Sequence, residues 1–420
     1  MNRILFVFRN GISKYFQFFY LKTCRCLQKL VSLPSKMSDA IKIYRHIRYA
    51  FAARGGEPQL ADYQPSNEGS PCACPQNPFR MDFLIDTSER LPQSEDCHFL
   101  TIYSPAENGE RLPVAVWFHG GAYLTGSGES GIYDASTLAQ EGHIVVVSVS
   151  YRLGAFGYLH DEVNGMVNLG LKDQIVALRW VQQHIGAFGG DSTRVTIAGQ
   201  SAGGHSVAAI IANTTEPLFT QAIIHSAPLD MQTSNQMAKR MYRDFSELLD
   251  KPFVEATTEE VLLAQRMYRR QSRSMMPFSP LNPDYYNSPP NPALQRVWFT
   301  YQRDDASPFV AMVLHHEARF GSVLDCMATR IATNAVFAHS AKRFARHLQR
   351  AGVDVSVLCL DTRPEGSPFG ACHCLEIAWL FSSWQHWQTA PMIGSMSQTQ
   401  WQEQSRLFRH HWTDFVKGNQ

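Results

Sequence analysis

The feature that most constrains this chain is Gly199-Gln200-Ser201-Ala202-Gly203, which lies between a β-rich run, Arg194–Ala198, and an apolar helical stretch, Ala202–Ala212. A serine at a sharp strand-to-helix turn is forced into a strained backbone conformation, so small residues must flank it on both sides. Such a turn lifts the hydroxyl above the end of a sheet and aims the helix N-terminus at the same place. Gly204 extends the small-residue patch. The junction therefore demands a sheet with helices packed on it, and the surrounding pattern agrees. Phe99–Tyr103 alternates as a strand does, while Pro113–Phe118 and His143–Ser150 are continuous apolar runs, as expected for strands covered on both faces. Asp173–His184 carries Ile175, Leu178, Val181 and His184 near helical spacing, and Gln221–His225 and Val353–Asp361 read as further strands. Alternation of this kind implies a largely parallel sheet with right-handed crossovers. The segment 228–276 has a helical pattern and is expected to cap the sheet's working edge, and the Pro- and Asn-rich stretch 277–292 is expected to be a loop.

Composition excludes several function classes. Thirty-eight basic against thirty-seven acidic residues leave a formal charge of +1, which supplies no general attraction to nucleic acid. Hydrophobic residues at 44% and charged residues at 18% are globular proportions. No stretch reaches the roughly eighteen apolar residues needed to span a bilayer.

A second constellation, Phe118-His119-Gly120-Gly121-Ala122-Tyr123, directly follows the Pro113–Phe118 run. Acyl transfer creates an oxyanion, which preorganised backbone N–H groups stabilise, and consecutive small residues leave such groups bare. The amides of Gly121 and Ala122, with that of Ala202 after the serine, are expected to converge on one oxygen. His119 precedes this loop and is expected to orient it by hydrogen bonding rather than act as a base.

Together these segments resemble the type-B carboxylesterase/lipase family, the cholinesterase-like group of the α/β-hydrolase superfamily. Ser94–Cys97 with Leu100 and Tyr103, then His119–Ala122, Ser148–Leu159, Asn168–Trp180, Phe188–Asp191, Gly199–Gly203 and Ala222–Ala227 match the family's blocks in order. The resemblance is dense from about 94 to 228, patchy to the C-terminus and faint before 94. It implies an α/β-hydrolase fold, a mostly parallel sheet with helices on both faces and a helical cap. It also implies hydrolysis of a small-molecule carboxylic ester through a serine triad, with no metal or cofactor. In this fold the order is serine, acid, histidine. Tyr301–Ser307 is similar to the family's acid turn and puts Asp305 at the acid position, with aspartate for glutamate and alanine for the next glycine; Asp304 is a rival. Among sixteen histidines, His373 alone sits in a loop, Gly370–Ile377, similar to the family's histidine loop; His315, His316, His410 and His411 lack such a context. Ser226 aligns with a family serine that supports the acid. The competing hypothesis is a non-catalytic binding protein on the same fold, since some relatives have lost catalysis; those lack the nucleophile, and Ser201 is present. Short acyl chains are expected, because no broad apolar lid is legible.

Residues 1–38 form a basic, aromatic extension with no acid before Asp39, and 39–420 a single domain with a cap-like insertion at about 228–300. The extension is expected to lie outside the fold, Met37 offering an ordinary start; contact of residues 1–36 with an anionic membrane is the less favoured reading. The pairs Cys24/Cys26, Cys72/Cys74 and Cys372/Cys374 lack metal-ligand spacing, so no metal is expected. In secreted family members cysteines at the positions of Cys74 and Cys97 are bridged. Without a recognisable signal peptide, free thiols and a cytoplasmic location are expected here.

Overall fold

The computed structural model describes residues 41–419 apart from 65–68, 79–80, 82, 86–89, 273, 282–283 and 315–320. The N-terminal extension read from the sequence lies outside the described residues.

Ten strands are described: β1 (Lys42–Arg48), β2 (Ala50–Phe51), β3 (Gln59–Leu60), β4 (Phe99–Ser104), β5 (Leu112–Phe118), β6 (Val145–Val149), β7 (Gly190–Gln200), β8 (Gln221–His225), β9 (Arg296–Gln302) and β10 (Asp354–Leu360). Eight form one sheet in the order β1-β4-β6-β5-β7-β8-β9-β10, and β2 pairs with β3 separately. β4 runs antiparallel to both β1 and β6. From β6 to β10 every pairing is parallel.

The continuous apolar runs reflect burial on two sides. Along β5, Val114, Val116 and Phe118 enter one core with the helices Leu169–His184, Ala202–Asn213 and His339–Arg350. Ala115 and Trp117 enter the opposite core with Leu138, Leu375, Trp401 and Trp412 from helices on the other face. Trp117 is fully buried. A strand with no solvated face has no position where a polar side chain is free of cost, hence the missing alternation.

Register brings the working ends together. Phe118 pairs with Gly199, Gln200 with His225, and His225 with Thr300. The loops that follow β5, β7 and β9 therefore emerge at one edge, as in other open α/β sheets whose sites lie beyond the strand C-termini. β9 begins at Arg296, so the last residues of the segment read as cap belong to the central sheet. Within that segment the helices Asn235–Leu249 and Thr258–Gln271 share a third core with Tyr123, Tyr151, Phe156 and Ala202. Thr257 and Glu260 form a reciprocal capping box at the second helix.

Candidate active site

Ser201 stands between β7 and the helix Ala202–Asn213 with φ 55° and ψ −121°, a conformation that L-residues avoid. The tightness of the turn explains its composition. A Cβ on Gly203 would lie 1.9 Å from the Phe118 carbonyl oxygen, so no larger residue fits. The Ser201 amide donates to the His225 carbonyl at 2.9 Å and its own carbonyl accepts from His205 N–H at 2.8 Å, which fixes the turn from both sides.

The loop after β5 comes close to this serine. A Cβ on Gly120 would be 3.3 Å from Ser201 Cβ. Ala122 and Tyr123 both have positive φ, 56° and 59°, and Gly121 has φ 110°. Among the described residues the N–H groups of Gly121, Ala122 and Ala202 donate to no protein acceptor. His119 lies behind the loop, its ring stacked on Tyr151 with centroids 4.5 Å apart. Its Nδ1 is 2.8 Å from the Gly120 carbonyl, while the Tyr151 hydroxyl donates to the His119 carbonyl at 2.7 Å. Burial pushes the His119 pKa down to about 4, so the ring is neutral at pH 7 and its Nδ1–H can hold the loop.

The turn after β9 and the loop after β10 meet at the same edge. His373 Nδ1 and Asp305 Oδ1 are 2.6 Å apart, both side chains buried. The other Asp305 oxygen accepts from Gln302 N–H at 2.9 Å. An ionised Asp305 requires Nδ1 to carry the proton, which leaves Nε2 with a lone pair. That lone pair accepts from the Gln200 side-chain amide at 3.2 Å. Phe309 and Phe337 flank the imidazole, with ring centroids 5.1 and 5.2 Å away.

Asp304 leaves the same turn in another direction. Its carboxylate accepts from Ala371 N–H at 3.1 Å and pairs with Arg363 at 3.1 Å. Ser226 departs from the role implied by the family resemblance. It has φ 46° and donates its amide to the Thr300 carbonyl at 2.8 Å, but its hydroxyl is buried without a hydrogen-bond partner and does not bond Asp305. Gln302 occupies that role through its backbone.

Two residues of the site escape a reading of the sequence alone. Gln200 is the variable position of the serine turn, and nothing in its spacing marks it as a partner of His373. Glu376, three residues after His373, is fully buried and accepts from the Gln302 amide at 2.8 Å. Burial, and after it the charge of Asp305, raises the Glu376 pKa to about 7. Glu376 stands within the Gly370–Ile377 stretch that is similar to the family's histidine loop, but nothing there marks it as a partner of Gln302.

A cleft of about 230 Å³ opens beside the serine turn. Gly120, Gly121, Gln200, Cys374 and Ile377 line it, with Tyr133 among its apolar residues.

Residues 32–296 match the family model described as the carboxylesterase family. The chain belongs to the carboxylesterase family. It is a carboxylic ester hydrolase of the α/β-hydrolase superfamily, as the sequence motifs imply. A probable N-octanoylanthranilate hydrolase of Rhodococcus erythropolis is 35% identical over 410 residues, covering 91% of this chain and 90% of that protein. The para-nitrobenzyl esterase of Bacillus subtilis is 45% identical over 170 residues, 39% of this chain and 34% of the relative. Among solved structures, a PNB esterase superposes with a TM-score of 0.74 at 25% identity, covering 91% of this chain and 88% of the other.

Among the described residues no helix of this carboxylesterase is long and apolar enough to cross a membrane.

Proposed function

We propose that the enzyme hydrolyses small-molecule esters with Ser201 as nucleophile, His373 as general base and Asp305 as the acid that orients the imidazole and stabilises its cation. The observation that carries this reading is the 2.6 Å bond between His373 Nδ1 and buried Asp305, which leaves Nε2 unprotonated at the edge where the strained serine stands. In the resting arrangement Gln200 donates to Nε2; during turnover that lone pair turns to the Ser201 hydroxyl, since catalytic hydrogen bonds commonly tighten only once substrate is bound. Oγ then bonds to the carbonyl carbon as its proton passes to Nε2. The N–H groups of Gly121, Ala122 and Ala202 take the oxyanion. Collapse breaks the bond to the alcohol oxygen, which leaves with the proton from Nε2. Water, deprotonated by Nε2, attacks the acyl-enzyme and releases the acid and Ser201.

The sequence reading expects short acyl chains. The extended similarity to a probable N-octanoylanthranilate hydrolase favours a longer chain on an aryl leaving group, and the Ile85, Leu91, Ile132 and Tyr133 lining offers apolar surface for either part.

Covalent labelling by a fluorophosphonate, followed by a chain-length series of nitrophenyl esters, tests the reading. Wild type is expected to label and Ser201→Ala not to label. An unlabelled, folded wild type would favour a binding protein instead.

A further inference from the structure

We infer that His46, Cys72 and Glu129 form a binding site for one divalent cation of the zinc class, outside the catalytic edge. The three residues come from separate stretches of chain. His46 sits where the pairing of β1 with β4 slips between Tyr44 and Ile47, with φ 55°. Its ring stacks on Phe99 with centroids 3.6 Å apart, so its direction is fixed. Glu129 follows the loop that carries Gly120 and Gly121, and Cys72 precedes the Cys74-Pro75-Gln76 stretch.

The donor atoms already stand together. His46 Nδ1 is 3.0 and 3.3 Å from the two Glu129 oxygens, and the nitrogen, thiol and carboxylate donors all lie within 4.8 Å of one another. Small inward movements would bring them to coordination distance. The set is one imidazole, one thiolate and one carboxylate, which is a zinc-type mixture and unsuited to calcium or magnesium. Water can complete a tetrahedron, because the His46 side chain is 12% exposed while that of Glu129 is fully buried.

The site's charges have a gap that a cation fills. The Glu129 carboxylate accepts from the Cys72 amide at 2.9 Å, and its ion partner among the described residues is His46, which is charged only when protonated. A buried carboxylate without a permanent counter-charge is costly. Around the thiol stand Asp96, Arg48 and Cys74, and the thiol lies 3.7 Å from the Asp96 carbonyl. In the empty site Cys72 is a thiol that donates to the Asp96 carbonyl. Binding would transfer that proton to solvent as the sulfur–metal bond forms; Nδ1 would be freed for the metal by moving the imidazole proton to Nε2. The product carries two anionic ligands on one dication.

The location gives the cation a consequence. The Ser127 hydroxyl donates to the Cys72 carbonyl at 2.7 Å, and Ala73, Ser127 and Ser130 line the cleft beside the serine turn. A bound cation would fasten β1, the segment after residue 71 and the turn at 127–130 into one wall. Sequence spacing gives no hint of this, since the ligands are not grouped along the chain.

The test uses the full chain, stripped by a chelator and dialysed against zinc sulfate, with metal counted by atomic emission. Wild type and Cys326→Ser, which removes an exposed thiol, are expected to hold one equivalent. Cys72→Ser and His46→Gln should bind tenfold or more weakly. Cobalt(II) should give wild type a thiolate charge-transfer absorption that Cys72→Ser lacks. Should His46→Gln fail to fold, the isosteric Cys72→Ser and the cobalt spectrum decide alone. A wild type that retains no zinc, or a Cys72→Ser that retains it equally well, overturns the inference. Both results are read without reference to ester hydrolysis.

Discussion

Asp304 and Asp305 are adjacent carboxylates with different surroundings. Asp305 is fully buried on His373, whereas Asp304 faces Arg363 and the Ala371 amide. Asp305→Asn is therefore expected to lower kcat by about 10⁴, because an amide can hold the imidazole in the wrong tautomer and cannot stabilise its cation. Asp304→Asn should leave kcat within a few-fold and cost about 1 kcal/mol of stability, measured by urea unfolding, since the Arg363 side of the pair is exposed and the Ala371 amide can still donate to the asparagine oxygen. Equal effects of the two changes on kcat would contradict the assignment. Glu376 gives a pH-dependent expectation. Its carboxyl is raised from 4.5 to about 7 by burial and by Asp305, so the folded protein holds this proton to higher pH than the unfolded chain. Its contribution to stability is full below about pH 4.5 and is lost as pH rises through about 7. Glu376→Gln removes that loss. The Tm of wild type minus that of the variant should fall between about pH 5 and pH 8, and a flat difference would show that Glu376 titrates normally.

At the scale of elements, His373 depends on a helical turn far along the chain. Phe337, 3% exposed, belongs to a π-helical turn, Asn334–Ala338, between the helices Val323–Thr333 and His339–Arg350. Such turns interrupt a helix to re-aim a side chain, and here the ring flanks the imidazole. Phe337→Ala should cost about 3–5 kcal/mol in urea unfolding and also reduce kcat, because one wall of the imidazole is lost. An unchanged kcat would mean that Phe309 alone suffices. Nothing in the sequence marks this turn, since its apolar residues look like any helical face. The strand assignments at the middle of the sheet rest on β-rich runs whose double burial leaves a clear pattern, as in Val114–Phe118 and Val145–Val149. β1 was illegible because its burial alternates weakly and breaks at His46. β9 was masked by its place at the end of the segment read as a cap, 228–300, although its residues Val297–Thr300 are all buried. The serine turn was legible because backbone geometry restricts its composition, and the histidine loop through its resemblance to the family's loop. The partners Gln200, Gln302 and Glu376 were not, since a side-chain hydrogen bond across the fold leaves no local trace.

Across the whole molecule, one buried ion pair ties distant stretches together. Arg152 donates to both Asp173 oxygens, at 2.8 and 2.7 Å, and to the Gly56 carbonyl at 2.8 Å. Burial alone would raise the Asp173 pKa, but the charge of Arg152 and then of His98 holds it well below the ordinary carboxylate range. Asp173→Asn should destabilise the protein by about 3–5 kcal/mol, because the buried guanidinium loses its counter-charge. In wild type this contribution is present above about pH 4 and is lost as acid protonates Asp173. Urea midpoints for both proteins at neutral pH check the first expectation, and wild-type midpoints toward low pH check the second. The backbone at Ser201 has a different bearing on how such an enzyme can be improved. Glycine adopts φ 55° and ψ −121° with little strain, whereas serine pays about 1–3 kcal/mol for it. A library screened for heat resistance alone would therefore enrich glycine at position 201 and return proteins that melt later and hydrolyse nothing. Every round of thermostability selection on this scaffold needs turnover as a simultaneous criterion, because a strained residue is also the proposed nucleophile.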